Sequence, residues 1–242
     1  MSCISIVEAF SMQGRCPLCR LDECDEELKI QNYLREFVMD PAYRVIVEDI
    51  GICSTHANLM LDAGDILGAA ISVRALMQGR QGKPQLGAES RKRGGAKSQL
   101  RRLFRRRLPE AQIDRGGKQC VFCRELEAEA LRRACNLVDL FSIDQGFQRL
   151  FPTNEWLCLP HSRQLYQLAG KRLHDEQCQA MQTAISDAVD RNSARVRAKL
   201  DWFITKHDYR NSDSDWNGCE GAPKEAARFV LGRHGASERG TE

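Results

Sequence analysis

Several things are missing from this chain, and each absence narrows what it can be. No stretch approaches the ~18 consecutive apolar residues that a membrane-spanning helix needs. Residues 1–15 have no basic start and too short an apolar run for a secretory leader, and Glu8 interrupts them. Runs of β-branched residues are sparse, while Ala, Leu, Glu, Gln and Arg dominate, which argues against a sheet protein. Aromatic residues make up only 7 % of the 242 positions. No spacing of Ser, His, Asp or Glu marks a catalytic constellation. His207, Asp208, Tyr209 and Arg210 form a polar group that reads more simply as a helix-end ion pair than as a hydrolase site. The expected compartment is a reducing cytoplasm.

Cysteine, by contrast, is abundant, with 11 residues. Six of them fall into a four-residue unit that occurs twice. Cys16-Pro17-Leu18-Cys19 is answered by Cys53-Ser54-Thr55-His56, and Cys120-Val121-Phe122-Cys123 by Cys158-Leu159-Pro160-His161. Each copy is C-x2-C, a spacer of 33 or 34 residues, then C-x2-H. Thiolate sulfur and neutral imidazole nitrogen are the ligands that a borderline-soft divalent ion takes at four tetrahedral corners. Two intervening residues put both side chains of a pair on one side of the backbone. The replication makes chance, a lone redox motif or a disulfide pair poor explanations. The remaining cysteines, Cys3, Cys24, Cys135, Cys178 and Cys219, are odd in number and irregular in spacing, unlike a disulfide framework.

In sequence order the ligands give two sets. Cys16, Cys19, Cys53 and His56 form the first, and Cys120, Cys123, Cys158 and His161 the second. The expected fold is all-α, with two tandem helical modules each pinned by a Cys3His metal site, plus a long C-terminal helix. The divisions are 1–77 (first module), 78–119 (basic linker), 120–232 (second module) and 233–242 (tail). Apolar periodicity predicts helices over 23–39, from Ser54 to Met77, over 124–141, from His161 to Gly170, and over 174–206, with a short one from Pro223 to Leu231. In the Ser54 helix, Leu59, Ala63, Ile66, Leu67, Ala70, Ile71 and Met77 are expected on the buried side, with Gly64 and Gly68 as mild interruptions. The expected cofactor is two Zn2+, with iron–sulfur clusters as the alternative and Cys24 as a spare ligand.

The net charge of +3 conceals an asymmetry. The linker 78–119 holds 13 Lys/Arg and 3 Asp/Glu, a net of +10. Within it, Leu100, Leu103, Phe104 and Leu108 share one face of a candidate amphipathic helix. Arg91, Lys92, Arg93, Arg101, Arg102, Arg105, Arg106 and Arg107 are the candidate contacts to nucleic acid or to a partner protein. An anionic membrane surface, or the chain's own acidic faces, are the other options for this charge. Phe104 is the only aromatic residue in the run, so base stacking has no support. The helix over 174–206 could pack within the chain or pair with a second copy as a homodimer.

CPLC near the N-terminus, GICSTH leading into a glycine-spaced helix, CLPH, and the C-terminal FITKHDYRN resemble an uncharacterised prokaryotic family known only as a domain of unknown function. The resemblance covers most of the chain. It implies a soluble, cysteine-rich helical protein and carries over no catalytic residue.

Overall fold

The computed structural model describes residues 4–78, 120–211 and 213–235. The described residues are helical, with no strand among them. In chain order the helices are α1 (Ile6–Ser11), α2 (Pro17–Asn32), α3 (Pro41–Ile50), α4 (Ser54–Asp62), α5 (Ile66–Gln78), α6 (Val121–Ile143), α7 (Gln145–Leu150), α8 (Leu159–Arg172), α9 (Asp175–Lys206) and α10 (Ala222–Leu231). Among the described residues no helix is long and apolar enough to cross a membrane. The chain divides into two compact units that are not consecutive in sequence. One comprises Met1–Leu28 with Leu126–Glu242, and the other Lys29–Glu125. The division falls inside α2 and α6.

In the first unit, α9 packs along α8 and α10. Neither Gly nor Pro interrupts its 32 residues, and Met181, Ala184, Ile185, Ala188 and Val196 recur at helical spacing on its buried side. The amphipathic pattern is thus satisfied within the chain. Phe10 on α1 stands edge-on to Phe147, with ring centroids 5.3 Å apart, and stacks on Phe151 at 5.3 Å. Phe141 meets Phe151 edge-on at 5.4 Å. Burying each ring stabilises the unit by about 1.5–3 kcal/mol, and the buried amide of Asn154 donates to the Phe10 carbonyl at 3.2 Å. The Ser5–Glu8 capping box starts α1.

In the second unit, Tyr33 packs on Phe122, with ring centroids 5.2 Å apart, and its hydroxyl bonds to buried Ser72 at 2.9 Å. Asp40 caps α3 by accepting from the Ala42 amide at 2.8 Å, and Pro41 takes the first helical position. Residues 33–37 form a π-helical turn that ends the run begun by α2.

The helix expected from Ser54 to Met77 is instead two helices. Gly64 adopts φ +83°, a left-handed conformation that stops α4, and Asp65 restarts the chain by accepting from the Gly68 amide at 2.9 Å. The break resets the helical phase, so much of the predicted buried face is overturned. Ile66, Leu67 and Met77 are 77, 72 and 70 % exposed, and Gly68, Ala69, Ser72 and Ala75 face inward instead. Gly68 is there for close approach, since a Cβ would come within 3.0 Å of Leu34.

Candidate metal centres

All four ligand pairs sit at helix N-termini in one register. The carbonyls of Cys16, Cys53, Cys120 and Cys158 accept from the amides of Arg20, Ala57, Arg124 and Ser162 at 2.9–3.1 Å, the first bond of each helix. The first cysteine of each pair is therefore the N-cap, and the second ligand is the third helical residue. Side chains at these two positions point to the same side of the helix start, the geometry that a capping box also uses. Cys53 and Cys158 hold the extended N-cap backbone, with ψ of 163° and 158°. Pro17 and Pro160 are tolerated because the amides of a first turn have no helical partner. The C-x2-C pairs are thus first turns of helices, and α2 and α6 begin directly within them.

The ligands assemble across the two repeats. Cys16 and Cys19 on α2 meet Cys158 and His161 on α8, all within the first unit. Cys53 and His56 on α4 meet Cys120 and Cys123 on α6, all within the second. This corrects the grouping by sequence order. Each unit takes a C-x2-C from one repeat and the C-x2-H from the other. Both groupings have the composition Cys3His, so spacing along the chain could not choose between them. The six ligand cysteines are free of disulfides, and Cys24 stands in neither set.

In the first unit the Nδ1 of His161 lies 3.5, 3.4 and 3.2 Å from the sulfurs of Cys16, Cys19 and Cys158, and Cys19 Sγ is 3.7 Å from Cys158 Sγ. In the second, the Nδ1 of His56 lies 3.1, 3.4 and 3.4 Å from Cys53, Cys120 and Cys123, and Cys53 Sγ is 3.8 Å from Cys123 Sγ. Within each set, all four ligand atoms fall within 4.8 Å of one another. Each set can hold a metal ion.

The charges are arranged accordingly. Burial pushes the Cys16 thiol up, but hydrogen bonds with Cys158, Cys19 and His161 outweigh it and hold Cys16 well below the ordinary thiol range. Cys19 is driven far up by hydrogen bonding to Cys158 and Cys16 and by burial, and Cys158 is raised mainly by its bond to Cys16. In the second unit burial acts against Cys120, yet the bond to His56 and backbone donors bring it down to about 6. Cys123 is pushed up to about 12 by burial and by the charges on Cys120 and Cys53. In each set one thiol is lowered while a neighbour is raised, Cys16 against Cys19 and Cys158, and Cys120 against Cys123. Several thiolates at this spacing ionise together only around a cation.

His161 has an outer partner. Its Nε2 lies 3.1 Å from Asp22 Oδ2, and Arg133 donates to Asp22 Oδ1 at 2.5 Å while also pairing with Asp25. Burial would lower the imidazole, but the bonds to Asp22, Cys158 and Cys16 raise it to about 12. A carboxylate on the far nitrogen leaves Nδ1 as the atom facing the sulfurs, a common support for metal-bound histidine. The sequence reading missed Asp22, although it stands three residues after Cys19 on one helix face. At the matching place in the second repeat stands Leu126. No sequence signal pointed to Arg133.

Gly232, at the end of α10, has φ +71° and ψ −157°, and a Cβ there would meet Pro160 Cγ at 3.4 Å and Cys158 Sγ at 3.8 Å. Against Cys16, Cys19 and Cys158 lies a cleft of about 50 Å3, bordered also by Arg15, Arg195 and Trp156. The Arg195 guanidinium stacks 3.9 Å from the centre of the Trp156 ring and pairs with Glu225. His207 and Asp208 have separate partners. The His207 ring lies 4.7 Å from that of Phe203, and Asp208 holds Arg210 at 2.6 Å. Arg91, Lys92, Arg93, Arg101, Arg102, Arg105, Arg106 and Arg107 lie outside the described residues.

No curated protein and no solved structure matches the chain. A family described as a family of unknown function (DUF6062) matches residues 1–237. The chain, with its paired cysteine motifs, belongs to that family.

Proposed function

We propose that this is a non-enzymatic, zinc-stapled helical protein that acts by binding a macromolecular partner. The observation that carries the metal is the ligand spacing. Sulfur at about 2.3 Å and nitrogen at about 2.05 Å from one tetrahedral centre stand about 3.8 Å apart (S to S) and about 3.6 Å apart (S to N). The measured separations are 3.7 and 3.8 Å between sulfurs and 3.1–3.5 Å from sulfur to nitrogen. A multi-iron cluster places its ligands on different irons, which spreads them beyond a single tetrahedron. Three thiolates and one neutral imidazole around a divalent ion carry a net charge of about −1, which suits two converging helix N-termini.

Four protein ligands close the coordination sphere, whereas catalytic zinc keeps a position open. The cleft beside the first set, at about 50 Å3, is far below the ~300 Å3 at which small-molecule sites begin. Both points favour a staple over an enzyme. The partner surface we favour is the basic segment that includes Arg91–Arg93 and Arg101–Arg107. It would neutralise several phosphates or acidic side chains and give salt-dependent affinity.

The test is metal analysis of protein purified without oxygen, with an absorbance spectrum of the same sample. Two zinc equivalents per chain and no visible colour are expected. A folded, metal-free protein, or iron with sulfide and a brown spectrum, would overturn the reading. Deleting 88–108 should leave the metal content at two and abolish binding to anionic partners. Unchanged binding would remove the basic segment from the proposal.

A further inference from the structure

The two sets are not protected alike. In the first, Cys16, Cys19 and Cys158 are buried at 5, 4 and 2 % exposure, and Asp22 and Arg133 back His161. In the second, Cys120 and His56 are buried but Cys53 is only half-buried and Cys123 is exposed. The two more exposed cysteines are also a pair whose sulfurs lie 3.8 Å apart. Metal-bound sulfur is deprotonated, and a thiolate that solvent can reach is the form that peroxides attack.

We propose that the Cys53–Cys123 edge of the second set is a site of oxidation by hydroperoxides, which releases that metal ion and leaves the first set loaded. The inference rests on the zinc reading above. The Cys123 thiolate attacks the nearer peroxide oxygen, so an S–O bond forms and the O–O bond breaks. The departing hydroxide, or alkoxide, takes a proton from water, and Cys123 becomes a sulfenic acid. The Cys53 thiolate then attacks the Cys123 sulfur, the S–S bond forms, the S–O bond breaks, and hydroxide leaves as water after gaining a proton. The two sulfurs lose two electrons in total and the peroxide gains them. With two of its four ligands joined, the set no longer holds the ion. The small cleft beside the first set reaches Cys16, Cys19 and Cys158 only where they keep 5, 4 and 2 % of their surface exposed, so attack there is slower.

The experiment takes the full chain with its metal content already measured, adds excess hydrogen peroxide, follows metal release with a chromogenic chelator, and maps disulfides by peptide mass after alkylation. One equivalent should leave at least about tenfold faster than the other, together with a Cys53–Cys123 disulfide, and thiol reductant with added zinc should restore it. Cys123→His keeps four ligands and should lose the fast phase while retaining two equivalents. Simultaneous release of both ions, first loss from the Cys16, Cys19 and Cys158 set, or a first disulfide elsewhere would overturn the proposal while leaving the zinc reading standing. Absence of metal before peroxide is added would instead sink the zinc reading, and this inference with it.

Discussion

Replacing Asp22 by Asn isolates the outer support of one set. The carboxylate lies 3.1 Å from His161 Nε2 and is itself held at 2.5 Å by Arg133. The side chains of Asp22, Arg133 and His161 are 17, 13 and 14 % exposed, so solvent screens this network weakly. Asn preserves the shape and an acceptor oxygen but removes the charge that makes the imidazole a stronger ligand. Loss of such a partner lowers metal affinity about 10- to 100-fold, which is about 1.4–2.7 kcal/mol. The assay is a competitive chelator titration of the protein in its proposed two-zinc form, in which each set should give its own step. The first-unit step should shift by that amount and the second-unit step should not move. A His161→Cys background provides the control. It still offers four ligands but has no Nε2, so Asp22→Asn should then leave affinity unchanged. Equal shifts of both steps, or the same loss in the His161→Cys background, would mean that Asp22 acts only through general stability, and the reasoning would be refuted.

The assortment of ligands has its own test. Cys16→Ser and Cys158→Ser should each remove the same zinc equivalent, and the double variant should remove no more than one; loss of two would restore the grouping by sequence order. Gly232→Ala places a Cβ on a backbone region that is essentially glycine-only and should cost on the order of 1–3 kcal/mol, read as a drop in the urea midpoint with metal content unchanged. Tyr33→Phe removes the hydroxyl bonded to Ser72 and should cost about 1 kcal/mol by the same measurement. Glu225 supplies a pH dependence. Burial pushes its carboxyl up, but the bonds from Lys199 and Arg195 prevail and lower it. A group with a depressed folded value stabilises above the ordinary carboxylate range, and this contribution is lost as pH falls through the folded value. The stability gap between wild type and Glu225→Gln should therefore close on acidification; a constant gap would show that the ion pair contributes nothing through titration.

Much of the helical framework was legible because its signals are local. The 32 residues of α9 contain no breaker, and Asp40-Pro41 marks a boundary by proline sterics alone. The eight residues of the two Cys/His clusters stood out because such residues at this spacing are rare and the pattern is repeated. What escaped was anything set by tertiary choice. Gly64 could have sat inside a helix at modest cost, yet the chain uses its left-handed freedom, and the inward face of α5 is rotated as a result. Which C-x2-C meets which C-x2-H is equally silent in one dimension. Asp22 carried a faint signal at three residues beyond Cys19, and Arg133, 111 residues from Asp22, carried none.

The cross-repeat assortment of ligands has a consequence for the chain as it is made. His56 emerges 64 residues before Cys120 and Cys16 emerges 145 before His161. At 5–20 residues per second, translation leaves His56 waiting for Cys120 for about 3–13 seconds. Throughout that interval the nascent chain displays Cys16, Cys19, Cys53 and His56 together, a complete Cys3His complement with the wrong membership. A zinc ion captured then would have to be surrendered before either native centre could close. Early metallation would thus be a trap in the biosynthesis of this protein, and metal delivered after release from the ribosome should give the higher yield of folded chain.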